Sequence, residues 1–94
     1  MGHTPYGYRI EKGKAVIDEA AATKIRKLYE AYLAGASFET SAKMAGIEIQ
    51  HCGAKRMMAN RHYLGDDFYP AIIDSETFDK AEAEKQHRAE ALGR

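Results

Sequence analysis

The segment between Asp18 and Gly35 constrains the fold of this 94-residue chain more than any other segment. Its apolar residues recur at spacings of three and four, which is the period of an amphipathic helix with one buried face. Asp18 suits the N-cap of that helix, and Gly35 suits the left-handed residue that follows its C-terminus. We therefore predict a central helix over residues 18–34. Its predicted inward positions are Ala21, Ala22, Ile25, Leu28, Tyr29, Tyr32 and Leu33.

The residues before this helix predict a β-hairpin. Segments 7–10 and 15–18 are short strand candidates, and segment 11–14 joins them. Gly13 supplies a residue that adopts positive φ without steric cost, as tight hairpin turns require.

Two shorter helices are predicted in the middle of the chain. Ser37 is a good N-cap for a helix that runs through Ala45, and Gly46 ends it. A third helix is predicted over about Gln50–Ala59. Its inward positions are predicted to be Ala54, Met57 and Met58.

The last third of the chain predicts two more strands and a final helix. Segment 63–65 is predicted as one strand and Tyr69–Ile73 as another, which Pro70 confines to a sheet edge. Asp74 then caps a helix from Ser75 to about Ala89. Phe78 and Ala81 anchor its first turns, and beyond them the apolar face thins to Ala89 and Leu92, so the helix end is expected to project.

Together these elements predict one small α+β domain, since a chain of this length forms a single core. Three or four helices pack with short antiparallel strands, and a helix-turn-helix-like pair lies in the middle. The core is expected to span about residues 4–85, followed by a helical tail over residues 86–94.

The composition of the chain limits the disulfides, metal sites and membrane segments that it can form. The single cysteine excludes an internal disulfide and a cysteine-rich zinc site, and the four histidines lack the spacing of metal ligands. We expect no cofactor and no metal. The chain has neither a signal-peptide pattern nor an apolar run long enough to cross a bilayer, so we expect a cytoplasmic protein that does not engage a membrane.

The formal net charge of zero conceals an uneven distribution of charge. Residues 49–65 contain Lys55, Arg56 and Arg61 and no acid, with His51 and His62 nearby. Residues 66–94 contain eight acids and four bases. Contacts between cations and phosphates supply most sequence-independent affinity for DNA, so residues 49–65 are the candidate DNA-binding segment. An ordinary solvated helix face without acids is the alternative interpretation of the same pattern.

Helices two and three have the outline of a helix-turn-helix. Ala42 and Gly46 are four residues apart, which is the spacing of the small residue and the turn glycine in that motif, and Ile47 follows as the usual apolar residue. The second helix of such a pair enters the major groove, where Gln and Arg side chains read adenine and guanine edges. One later apolar position of the motif falls on Lys55, which does not fit.

Short motifs follow one another in a fixed order over about residues 4–85. They are Pro5-Tyr6-Gly7-Tyr8, Ala15-Val16-Ile17-Asp18, Tyr32-Leu33-Ala34-Gly35, Met57-Met58 with Asn60, Tyr63-Leu64-Gly65, and Pro70-Ala71-Ile72-Ile73-Asp74 with Phe78. This ordered series resembles the recombinase domain, the middle domain of large serine recombinases.

The resemblance implies binding of double-stranded DNA, with the helix of residues 50–59 in the major groove and the following loop beside it. The DNA-contacting residues would be Lys55, Arg56 and Arg61, with Gln50, His51 and His62 as secondary candidates.

We expect no catalysis. The family's catalytic serine domain and zinc-binding domain have no counterpart in this sequence, and Ser37, Ser41 and Ser75 have local roles as caps or packing residues.

The alternative is a protein-interaction module, in an accessory or relic protein, that engages a recombinase chain or a second copy through its C-terminal helix. A dimer that buries Phe78, Ala81 and Leu92 would favour it.

Overall fold

The computed structural model describes residues 4–49 and 51–91, with the side chains of His51 and Cys52 left out. Within these residues it contains four α-helices and one antiparallel two-stranded sheet, which confirms the predicted α+β class. In chain order the elements are β1 (Tyr8–Glu11), β2 (Lys14–Ile17), α1 (Glu19–Leu33), α2 (Phe38–Ala45), α3 (His51–Met57), a 3₁₀ turn (Arg61–Leu64) and α4 (Ser75–Ala91).

The hairpin forms as predicted, with each strand within one residue of its predicted position. Tyr8 pairs with Ile17 and Glu11 with Lys14. Lys12 and Gly13, the two turn residues, have φ values of 53° and 79°, which is the left-handed pair that a tight hairpin turn needs.

Helix α1 is the centre of the core. The Asp18 carboxylate accepts a hydrogen bond from the backbone N–H of Ala21 at 3.4 Å, and Gly35 follows the helix with a φ of 117°. Leu33, predicted to face inward, is the last residue of α1 and is 36% exposed. The fully buried side chains of α1 are Ala22, Ile25, Leu28, Tyr29 and Tyr32.

The two strands predicted after α3 are wrong. Segment 63–65 belongs to the 3₁₀ turn and its exit, and residues 69–73 form no strand. The backbone N–H groups of Ile72 and Ile73 both donate to the Tyr63 carbonyl at 2.9 Å, and the Asp66 N–H donates to the Tyr69 carbonyl at 2.8 Å. These isolated hydrogen bonds join the two segments without forming a regular ladder.

Tyrosine hydroxyls anchor this loop, residues 60–74, to the hairpin. The Tyr8 hydroxyl lies 2.8 Å from the His62 carbonyl oxygen and 2.6 Å from that of Pro70. The Tyr63 hydroxyl donates to the Tyr6 carbonyl at 2.7 Å. Burial raises the pKa of Tyr8 to about 12, so its hydroxyl stays protonated and able to donate.

Gly7, the residue before β1, lies against side chains of the core. A Cβ atom at Gly7 would stand 2.5 Å from Ile25 Cδ1, and its φ of 104° is left-handed. Glycine is therefore required at this position, because a side chain would lack room and because the backbone is left-handed.

Helix α4 packs across α1. The Asp74 carboxylate accepts from the Thr77 N–H at 2.9 Å, as an N-cap does, and Phe78 and Ala81 are buried. The helix continues to Ala91, and Arg88 binds the end of α1, so the part that was expected to project is fastened there. Leu92 lies outside the described residues. No helix in the described ranges is long and apolar enough to cross a bilayer.

Candidate nucleic-acid interface

Helices α2 and α3 and the turn between them form the predicted helix-turn-helix-like pair. The Ser37 hydroxyl accepts from the Thr40 N–H at 3.1 Å, and Gly46 ends α2 with a φ of 82°. The Ile47 N–H donates to the Ala42 carbonyl at 2.9 Å, and both residues are buried. The small residue, the turn glycine and the apolar residue of the motif therefore occupy their expected places.

Helix α3 is shorter than predicted and is packed in a different register from the motif. It spans His51–Met57, and its buried residues are Ala54 and, just beyond its end, Met58, while Met57 is partly buried. With 3.6 residues per turn, this places Arg56 nearly opposite the core and Lys55 on the flank. Lys55 is exposed, so the position that is apolar in the motif is not part of the core here, and Ala54 and Met58 supply the buried contacts instead.

The cations of α3, Lys55 and Arg56, have no partner among the described residues. Across residues 4–49 and 51–91, neither Lys55 nor Arg56 forms an ion pair or a hydrogen bond, and both are exposed. Three acids of α4, Glu76, Glu82 and Glu84, pair instead with cations of α4 itself. The charge at residues 55 and 56 is therefore available to an external ligand.

Arg61 lies just after α3, at the start of the 3₁₀ turn. Its guanidinium is 5.3 Å from the centre of the Phe78 ring, a cation–π arrangement that orients the side chain without neutralising it. Arg61 is exposed and forms no ion pair within the described part of the chain.

The His62 side chain contacts two residues of its own loop, Asp66 and Tyr69. Its Nδ1 lies 2.7 Å from Asp66 Oδ2, and its ring lies 4.6 Å from that of Tyr69. Hydrogen bonds from the Tyr69 N–H, the His62 ring and the Phe68 N–H hold the pKa of Asp66 below its ordinary value. His62 thus helps to hold the loop that follows Arg61 in its folded conformation. Gln50 lies outside the described residues, as does the side chain of His51.

Two hydrogen bonds from other helices hold the end of α3 in place. The Tyr29 hydroxyl donates to the Met58 carbonyl at 2.8 Å, and Lys85 Nζ donates to the same oxygen at 3.3 Å. Burial raises the pKa of Tyr29, which keeps the donor protonated. These supports come from α1 and α4. The sequence marked Tyr29 as a core residue and carried no signal for Lys85.

Lys24 is a further residue that sequence reasoning did not assign to the site. Its Cε lies 3.8 Å from the point where a Cβ of Gly46 would stand, so α1 places this cation beside the turn between α2 and α3. Lys24 is exposed. No local pattern in the sequence could have shown this proximity, because the two residues belong to different elements.

Ser37 caps α2 as predicted, and Ser41 is fully buried in α2, where its hydroxyl has no hydrogen-bond partner among the described residues. No group of three or more histidine, cysteine, aspartate or glutamate side chains that could hold a metal occurs among the described residues.

Comparison of the chain with protein-family models, with curated proteins and with solved structures returned no match.

Proposed function

We propose that this chain is a DNA-binding domain without catalytic activity, of the kind that the recombinase domain of large serine recombinases represents. Duplex DNA would contact α3 and Arg61. The observation that carries the proposal is that Lys55 and Arg56, on the second helix of a helix-turn-helix-like pair, are exposed and have no partner in the described part of the chain. The proposal includes a cytoplasmic location, where such a protein would meet DNA.

Each side chain has a definite role in this proposal. Lys55 acts as a point charge toward a backbone phosphate, whereas Arg56, which points away from the core, suits either a phosphate or the O6 and N7 atoms of guanine. Arg61 supplies a third cation beside the helix. Gln50 and His51 remain proposed secondary contacts at the start of α3, and His62 supports the loop through Asp66.

Three cations predict modest affinity. Neutralising three phosphates gives a salt dependence of roughly −2.7 in log K against log salt, well below that of a tight operator-binding protein. The domain would therefore act beside other DNA-binding units in the same chain or complex, as a recombinase domain does.

The alternative role, partner binding through the C-terminal helix, has less support. Phe78 and Ala81 were expected to form its apolar contact surface, and both are buried in the domain's own core. The exposed apolar side chains in the described part of α4 are those of alanines at positions 83, 89 and 91.

The test is binding to duplex DNA at low ionic strength, measured by fluorescence anisotropy. The variant Lys55→Glu with Arg56→Glu should weaken binding by about tenfold or more, because two phosphate contacts become repulsive. The matched control is Lys12→Glu with Lys14→Glu on the hairpin, which changes net charge equally at two exposed lysines that pair with none of the described residues. Equal losses in both variants, or no binding by the unaltered protein, would refute the proposal.

A further inference from the structure

The two strands of the hairpin differ in how far they are covered. In β2, Ala15 is buried, and Val16 and Ile17 are partly buried. In β1, every residue after Tyr8 is exposed, and Ile10 is 46% exposed although its side chain is large and apolar. The outer edge of β1 is therefore open to a partner.

The register of the hairpin fixes which backbone groups lie on this edge. The Asp18 N–H donates to the Gly7 carbonyl at 2.8 Å, so these two residues are a hydrogen-bonded pair. Hydrogen-bonded and non-hydrogen-bonded pairs alternate along an antiparallel ladder, so the pair of Ile10 and Ala15, three positions further on, is of the second kind. The N–H and C=O groups of Ile10 therefore point away from β2, and neither forms a hydrogen bond among the described residues.

The charges on either side of Ile10 favour a second copy of the same strand. Arg9 and Glu11 lie on the opposite face of the strand from Ile10, with Arg9 Nη2 2.9 Å from Glu11 Oε2, and both side chains are more than half exposed. When two antiparallel copies of β1 are centred on Ile10, each Arg9 lies opposite the Glu11 of the other copy. The four charges then alternate in sign, whereas like charges at these positions would repel a second copy.

We propose that the outer edge of β1 pairs with the same edge of a second copy of this chain, which joins the two hairpins into one antiparallel four-stranded sheet. The two Ile10 residues exchange a pair of backbone hydrogen bonds at the two-fold axis, and their side chains contact one another on one face. Arg9 and Glu11 of the two copies form two ion pairs on the other face.

The pairing is expected to be weak. It joins residues 9–11 of each copy, which buries less surface than the roughly 1,200–2,000 Å² of a stable complex. We expect a dissociation constant between about 0.1 and 1 mM. DNA titrations at micromolar protein therefore measure the monomer, and the failure of either proposal leaves the other intact.

Sedimentation equilibrium without DNA, over protein concentrations that span this range, tests the pairing. Arg9→Glu places two carboxylates opposite each other at both ends of the contact and should weaken dimerisation by about tenfold or more. The matched control is Lys27→Glu on α1, at an exposed lysine that pairs with none of the described residues. It makes the same change of charge away from the hairpin and should alter the dissociation constant by less than about twofold at physiological salt.

Exchange of the charges separates pairing from an effect on the hairpin itself. Arg9→Glu combined with Glu11→Arg restores the alternation of charge and should dimerise as the unaltered protein does. A mixture of the two single variants Arg9→Glu and Glu11→Arg, each of which repels its own copy, should form a mixed dimer.

Ile10→Pro removes the N–H group at the centre of the contact. The hairpin does not use this group, and edge strands tolerate proline. The variant should stay monomeric, with an unaltered circular dichroism spectrum as the check on folding.

Four outcomes would overturn the proposal. They are a monomer at every concentration, a dimer that Arg9→Glu leaves intact, the absence of a mixed dimer, and protection of the Ile10 amide from hydrogen exchange in dilute protein. The last would show that another segment of the same chain covers the edge.

Discussion

Helices α3 and α4 both carry cations, and they use them in opposite ways. On α4, Lys80, Lys85 and Arg88 each lie within 3.2 Å of a glutamate on the same helix. On α3, Lys55 and Arg56 have no acid within reach among the described residues. This difference follows from the local sequence, because α4 has a glutamate three or four residues before each of these cations and the segment around α3 has no acid.

The difference separates groups that hold the fold from groups that are free to bind. Lys85 donates to the Met58 carbonyl at the end of α3, and Arg88 donates to two carbonyls at the end of α1. Helix α1 has no basic residue in its last turn, so Arg88 supplies from α4 the positive charge that a helix C-terminus favours. Lys85 and Arg88 of α4 are therefore structural, and the cations of α3 are available to a ligand.

The largest effect that the comparison predicts is on stability, at Arg88. Arg88→Ala removes one ion pair, two hydrogen bonds to helix-end carbonyls and the contact with Tyr32, and should lower the free energy of unfolding by about 2–4 kcal/mol. Lys80→Ala, on the same helix, breaks only an exposed pair and should cost less than about 0.5 kcal/mol. Urea denaturation measures both. Equal losses would show that Arg88 is not the structural cation described here.

The next effect concerns the hydroxyl groups of α1 that lie near these cations. Tyr29→Phe removes the donor to the Met58 carbonyl and should cost about 1–2 kcal/mol, whereas Tyr32→Phe should cost almost nothing. The reason is that the Tyr32 hydroxyl is buried without a hydrogen-bond partner in the described structure. Thermal and urea denaturation of the two variants decide the point, and a greater loss from Tyr32→Phe would contradict the assignment.

A smaller effect is expected in the loop that carries Arg61 and His62. The pKa of Asp66 is lowered in the folded state, so its contribution to stability is present above its ordinary value near about 4 and is lost as pH falls through the lowered value. Asp66→Asn should therefore flatten the acid limb of the stability profile. Asp67→Asn, at the exposed neighbouring residue, is the control, and its free energy of unfolding should depend on pH as steeply as that of the unaltered protein. The Asp74 cap, whose pKa is also lowered, leaves a residual slope in both variants.

The smallest effect should come from the free cations themselves. Lys55→Gln with Arg56→Gln should change the free energy of unfolding by no more than about 0.5 kcal/mol, because exposed side chains without partners contribute little to stability. A loss comparable with that of Arg88→Ala would mean that α3 needs these charges for folding, and the distinction between the two helices would fail.

Local patterns in the sequence were sufficient to predict the helices and the hairpin. Apolar spacing placed α1, and Asp18, Ser37 and Gly46 marked helix ends because each satisfies backbone groups within three or four residues of itself. The same logic placed the turn at Lys12 and Gly13.

Long-range contacts account for what the sequence did not predict. The loop of residues 60–74 was interpreted as strands, but its conformation depends on hydroxyl groups of Tyr8 and Tyr63 and carbonyls more than fifty residues away. The exposure of Lys55 and Arg56 agrees with the acid-free segment, whereas the support from Lys85 and the nearness of Lys24 depend on how the helices pack.

The salt dependence of DNA binding tests the central claim most directly. For the unaltered protein, the slope of log K against log salt should be about −2.7, and Lys55→Gln with Arg56→Gln should reduce its magnitude by about 1.8, or two released counterions. Lys12→Gln with Lys14→Gln should leave the slope unchanged. A slope that is the same in all three proteins would contradict the claim that the free cations of α3 are the DNA-binding groups.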